Sequence, residues 1–231
     1  MSSKLIKGFK ISGIAFSAVV FVSLSIIIYF YRVEPLWIDA ELRDFSYYIR
    51  GEKYGFMYWV FRIITEFGNF FIIILILLGI ALFTRLDFRF FLVLFGIMLS
   101  LILNVGLKDM YSRERPYEDL RWAAEYTTSF PSGHATAAGF LYSYIIYLVY
   151  HTDLKPWIKR TVYGVCGALI PLIMFSRLIL GVHYFTDVVA GCATGIMVSC
   201  FCMLLYRYCV NNNILTTGLL HRRKKKEERD V

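Results

Sequence analysis

The sequence predicts an all-α integral membrane protein: six transmembrane helices in a bundle, with one active site at the extracytoplasmic face. Three observations carry that expectation. The 231 residues are 58% hydrophobic and only 18% charged, with a mean hydropathy of +0.58, whereas a soluble domain of this length needs far more polar surface. Apolar runs recur at lengths near the roughly 20 residues that cross a hydrocarbon core. Three short segments rich in Arg, Lys and His fall at the ends of those runs, where charge is costly unless it is used.

The six runs lie at about 11–31, 63–84, 88–107, 134–150, 161–180 and 187–208. No small-residue cleavage pattern follows the first, so it reads as a retained helix. The connection 32–60 is the longest. Within it Ile38, Leu42, Phe45 and Ile49 repeat at helical spacing, with Asp39, Glu41, Arg43 and Asp44 between them. Aromatics such as Trp37, Tyr48 and Trp59 suit a membrane interface, so an amphipathic helix on the outer leaflet is expected there. Glu66 and Asn69 read either as braces for the site or as helix-packing groups, and Asn104 carries the same two readings. Pro171 predicts a kink, and Gly191 with Gly195 predicts a close helix contact. The basic end of the chain, about 209–231, reads as a solvated cytoplasmic tail that anchors topology and attracts anionic headgroups. The whole chain, 1–231, reads as one domain. Its five cysteines have no metal-ligand or disulfide spacing and serve as packing residues.

Charge sets the orientation. With both termini inside, the inner segments hold 15 Lys and Arg against five acids, and the outer segments hold the other 10 against 12 acids. The positive-inside rule then places both termini in the cytoplasm. The net charge of +8 is thereby explained by topology, and no nucleic-acid partner is expected. All three charged segments land on the outer face.

Those segments are Lys108-Asp-Met-Tyr-Ser-Arg-Glu-Arg115-Pro116, Pro131-Ser-Gly-His134, and Ser176-Arg177 followed by His183 and Asp187. A phosphate ester repels nucleophiles, so an enzyme working without metal needs fixed cations and N–H donors around it. Arg115 and Arg177 can each offer a fork to two oxygens, and Lys108 adds a point charge. Any one of them alone could equally be an interfacial residue snorkelling to headgroups. Ser132 is a candidate N-cap, and Gly133 admits close backbone approach at a helix N-terminus that favours anions. That places a bound phosphate before His134. His183 and Asp187 share a helix face, and a carboxylate bonded to one ring nitrogen leaves the other free as a nucleophile. A purely structural His–Asp pair is the alternative. A metal held by His134, His183 and Asp187 is a further one, which the neighbouring cations oppose. No metal or cofactor is expected.

Taken together, the Lys-x6-Arg-Pro, Pro-Ser-Gly-His and Ser-Arg-x5-His-x3-Asp series resembles the signature of the type-2 phosphatidic acid phosphatase superfamily. The resemblance implies a six-helix membrane fold and metal-independent phosphatase chemistry. It implies that His183 forms a phosphohistidine, oriented by Asp187, while His134 protonates the leaving oxygen and later activates water. Lys108, Arg115, Arg177, Ser132 and Gly133 are implied to bind the phosphoryl oxygens. Soluble vanadate-dependent haloperoxidases share that cage but not the apolar spans. In size and layout the chain is similar to bacterial enzymes of undecaprenyl pyrophosphate, phosphatidylglycerol phosphate or phosphatidic acid, with the first ranked ahead of the other two together and lipid A as a further substrate class. The expected partners are a lipid phosphate and the bilayer. A phosphotransferase using the same intermediate, or a non-enzymatic binder or transporter of anionic lipid, are the competing readings.

Overall fold

Backbone in hydrocarbon has no water to bond, so long apolar runs without breakers become helices. The computed structural model describes residues 3–83 and 88–212. Among them the order is α1 (Ser3–Phe30), α2 (Trp37–Ile49), α3 (Phe56–Glu66), α4 (Phe70–Phe83), α5 (Phe88–Tyr111), a 3₁₀ turn (Glu118–Leu120), α6 (Gly133–Tyr150), α7 (Pro156–Ile179) and α8 (Phe185–Asn211). No strand occurs among the described residues. Arg85, Asp87 and the basic tail beyond 212 lie outside them.

By length and composition α5, α7 and α8 can each cross a membrane, and Ala15–Phe30 of α1 is a shorter apolar stretch. The helix expected over 63–84 is not continuous. It breaks at Phe67–Asn69 into α3 and α4. The Asn69 side chain causes the restart: Oδ1 accepts the Phe71 N–H at 3.0 Å, while Nδ2 donates to Glu66 at 3.0 Å. Glu66 and Asn69 therefore build a helix junction. Gly68 lets that junction lie against α6, since a Cβ there would sit 3.0 Å from the His134 carbonyl oxygen. Pro171 lies inside α7, which continues past it to Ile179.

The innermost helix is α6. Residues 135–142 are buried without interruption, so it faces protein where its neighbours face lipid and can carry polar side chains. Its partner is α8, and the expected glycine contact holds them together. A Cβ on Gly191 would lie 2.4 Å from the Ser132 carbonyl oxygen, one on Gly195 2.1 Å from that of Thr136, and one on Gly139 2.5 Å from that of Cys192. Positions on both helices advance together, so α6 and α8 run parallel and present their N-termini at the same end. Small residues at such a contact let backbones touch, which is the main source of packing energy inside a bilayer. Phe140 fills the space over Gly96 of α5, and Ile28 of α1 packs with Tyr111, Phe130 and Ala190.

The expected interfacial helix forms as α2, but its polar edge points into the protein. Asp39, Ser46 and Arg50 are buried, while Ile38 and Phe45 are exposed. Ser46 Oγ donates to the Leu178 carbonyl at 3.1 Å and Asp39 accepts the Thr186 N–H at 2.9 Å. Helix ends leave backbone groups unpaired, and α2 satisfies the end of α7 and the start of α8 together.

Gly195→Ala forces a methyl group into backbone, and overpacking of that kind costs about 3 kcal/mol. Thermal unfolding in detergent is expected to show a clear loss of stability for this variant, and none for Gly164→Ala, whose Cβ would meet nothing within 4 Å.

Candidate active site

Three segments meet at the end of the bundle where α5 and α7 stop and α6 and α8 start. Lys108 lies in the last turn of α5. Ser112 then turns the chain with φ +47°, and burial alternates along the residues that follow, as side chains do on a strand-like segment. Arg113 goes in, Glu114 out and Arg115 in again. The returning loop is tied back by Ser129 N–H to the Arg113 carbonyl at 2.8 Å, and Ser132 N–H donates to the Asp187 carbonyl at 3.0 Å. That last bond registers the second segment on the third. Between Arg177 and His183 the chain reverses at Gly181, φ +70°, a left-handed residue that suits glycine at a helix C-terminus. Gly181 thus fixes the spacing that brings His183 back beside the end of α7.

His183 is 3% exposed. Its Nε2 lies 3.2 Å from Arg115 Nη1. A guanidinium can only donate, so Nε2 is the acceptor and the ring proton sits on Nδ1. Burial holds this imidazole well below its ordinary pKa, and the charges of Arg115, Arg177 and Lys108 push the same way. The ring is therefore neutral at neutral pH, with a lone pair on Nε2. Nδ1 lies 3.6 Å from Asp187 Oδ2, beyond hydrogen-bond range. The direct bond expected between His183 and Asp187 is replaced by a relay. Ser129 Oγ, 3.4 Å from Nδ1, donates a short bond to the same carboxylate oxygen.

Arg115 also donates to the carbonyls of Thr127 at 2.6 Å and Val182 at 2.7 Å. Burial pushes its guanidinium down to about 10, with Glu125 opposing, so it stays charged. Arg177 is fully buried, bonds Thr65 Oγ1 at 2.8 Å and makes a short ion pair with Glu125. The other Glu125 oxygen lies 3.4 Å from Arg115. One carboxylate thus spans both arginines. Lys108 donates to the Thr128 carbonyl.

Behind His183 stands a second charged cluster. Arg113, 1% exposed, donates to Asp187 Oδ1 at 2.5 Å and to Asp39 Oδ2 at 2.7 Å, and both carboxylates are fully buried. Its guanidinium lies 4.5 Å from the Tyr184 ring centroid. Asp187 further accepts the Tyr184 N–H at 2.9 Å, closing the first turn of α8. Asp39 takes the Thr186 hydroxyl at 2.8 Å.

Ser132 occupies the N-cap position of α6, but its side chain makes no capping bond. Its Oγ is buried and has no partner among the described residues, and the same holds for Arg177 Nε. Asn104 donates to the Pro131 carbonyl at 3.2 Å and so holds the turn into α6. Gly133 follows, where a Cβ would press on Asn104 Oδ1 at 3.3 Å. His134 is half-buried, and the charges acting on it include those of Arg177 and Arg115. All eight residues expected from the sequence are therefore gathered at this end.

Arg113, Asp39, Glu125 and Ser129 were not expected. Arg113 was legible in principle, since extended chain puts residues two apart on one side. Asp39 and Glu125 had no local signal. Among the described residues no three His, Cys, Asp or Glu side chains form a group able to hold a metal. Both oxygens of Asp187 are already taken by Arg113 and Ser129.

Residues 89–211 match the model of the PAP2 superfamily. Phosphatidylglycerophosphatase B of Bacillus subtilis (strain 168) is 34% identical over 140 residues, covering 58% of this chain and 68% of that protein. The fold matches a crystal structure of a transmembrane PAP2-type phosphatidylglycerolphosphate phosphatase from Bacillus subtilis with a TM-score of 0.71. That pair is 25% identical and covers 86% of this chain and 96% of the other. LpxE of Aquifex aeolicus shares the fold at a TM-score of 0.60 and 23% identity, covering 74% of this chain and 98% of its own.

Removing one partner from a buried ion pair strands the other charge and costs about 3–5 kcal/mol. Arg113→Ala is expected to lose that much, read from unfolding in detergent. Arg113→Lys is expected to lose less, since it keeps the charge but not the fork. Equal stability of Arg113→Ala and the parent protein would contradict the cluster's role.

Proposed function

This chain belongs to the PAP2 superfamily, and from that premise we propose that it is a metal-independent membrane lipid phosphatase acting through a phosphohistidine on His183. The observation that carries this reading is the pairing of a neutral, tautomer-fixed imidazole with two buried polar atoms, Ser132 Oγ and Arg177 Nε, that lack partners. Buried polar groups are nearly always bonded, so orphans beside a nucleophile mark where ligand oxygens bind.

Lys108, Arg115 and Arg177 hold the phosphoryl oxygens, with Ser132 Oγ and the free N–H groups at Gly133 and the start of α6. His183 Nε2 attacks phosphorus as the phosphate–oxygen bond to the lipid breaks. His134 gives its proton to the departing oxygen, then takes one from the water that attacks the phosphohistidine, and free phosphate leaves. Ser129 and Asp187 hold the Nδ1 proton and stabilise the positive ring that forms. Charge balance supports the cage. Lys108, Arg113, Arg115 and Arg177 face Asp39, Asp187 and Glu125, leaving one positive charge over. A dianionic phosphate in place of Glu125 brings the total to neutral, so Glu125 swings away when substrate binds. Those cations also repel a divalent metal.

The substrate is a lipid phosphate. The likeness to Bacillus subtilis phosphatidylglycerol phosphate phosphatases puts that substrate ahead of undecaprenyl pyrophosphate and phosphatidic acid. Six spans, cytoplasmic termini and an extracytoplasmic site remain the layout favoured by the positive-inside count. A C-terminal epitope is then shielded from impermeant reagents in intact cells, and an accessible one would reverse the orientation.

Purified protein in detergent is expected to release phosphate from phosphatidylglycerol phosphate in excess EDTA. His183→Ala is expected to lose about 10⁴-fold or more, and His134→Ala about 10²–10⁴-fold. A strict metal requirement, or normal turnover in His183→Ala, would sink the mechanism.

A further inference from the structure

At the opposite end of the bundle, where α5 and α7 begin and α6 and α8 finish, lies a polar cavity of about 640 Å³. It falls within the size range of small-ligand sites. Arg89 from the first turn of α5, Lys159 from the first turn of α7 and Arg207 near the end of α8 line it, with His151, Tyr147 and Tyr206. Asp153 is the one acidic side chain among its lining residues. Lys159 donates to the Tyr150 carbonyl at 3.2 Å, which completes the end of α6 and accounts for that lysine. Arg89 lies 5.9 Å from the Tyr206 ring centroid.

Arg207 is different. It is only partly exposed, yet it makes no hydrogen bond or ion pair with any described residue. The positive-inside rule accounts for basic residues at a cytoplasmic end, but not for three of them converging on one concavity. Exposed Trp157 and Tyr208 flank this end, the pattern of a membrane interface, where lipid headgroups are within reach.

We propose that this cavity is a second anion site, distinct from the catalytic cage, that takes the phosphate of an anionic phospholipid headgroup. Arg207 and Arg89 supply the forks, Lys159 adds a charge, and the tyrosines offer hydroxyl donors. The lipid bound here is structural or regulatory and is not hydrolysed, since the cavity's lining includes no group of the catalytic cage. The site is independent of the reaction proposed above.

Native mass spectrometry of the full chain in detergent tests it, with phosphatidylglycerol and phosphatidylcholine titrated separately. The parent protein is expected to retain phosphatidylglycerol in preference to phosphatidylcholine. Arg207→Gln with Lys159→Gln is expected to weaken phosphatidylglycerol binding about thirtyfold, while lipid-phosphate hydrolysis stays within about twofold. Arg207→Lys keeps the charge and is expected to keep most of the binding, which separates loss of the site from misfolding. Millimolar inorganic phosphate distinguishes the source: displacement of the lipid identifies a soluble phosphate site, and resistance identifies a lipid site. Equal retention of both lipids by the parent protein, or unchanged phosphatidylglycerol affinity in the double variant, would overturn the proposal.

Discussion

Arg113 between Asp39 and Asp187 is the interaction on which the rest of this site depends. Taking one arginine and two carboxylates out of water is expensive, and only complete pairing makes it tolerable. Every member here is paired. Arg113 uses both terminal nitrogens, Asp39 also caps α8 through Thr186, and Asp187 also holds Ser129 and the Tyr184 N–H. The cluster joins α2, the chain leaving α5, and α8, three pieces far apart in sequence. It fixes the carboxylate behind His183, and through Ser129 it fixes the imidazole proton.

The second constraint is steric. Parallel packing of α6 on α8 through Gly139, Gly191 and Gly195 places the N-termini of both helices at one level. His134 opens one helix, and His183 with Asp187 opens the other. Lipid-facing helices must be apolar, whereas α6 is wrapped by protein and carries a histidine, threonine and serine without exposing them to hydrocarbon. That division of labour lets the innermost helix carry the polar groups at the site.

Most of the site was legible in the sequence because its residues sit at fixed offsets from helix ends. The spacing of Lys108 to Arg115, and of Arg177 to Asp187, records a helix terminus and a turn. The glycine contact was legible for the same reason. The break at 67–69 was hidden because apolar residues run on both sides of it, although Gly68-Asn69 was there as a turn signal. The orientation of α2 was harder. An amphipathic helix at an interface can turn its polar edge to water or to protein, and periodicity does not choose. Asp39 therefore read as solvated, and its partner lies 74 positions away. Glu125 was invisible for a similar reason, since its meaning comes from two arginines supplied by other segments.

The proposed mechanism requires Nε2 of His183 to take the phosphoryl group. Rapid acid-free quenching of the enzyme with lipid carrying radiolabelled phosphate measures this directly. The predicted result is a protein-bound label that survives base, is released by acid, maps to the peptide containing His183, and is absent from His183→Ala. Turnover with no such label, or a label that maps to another residue, would contradict it.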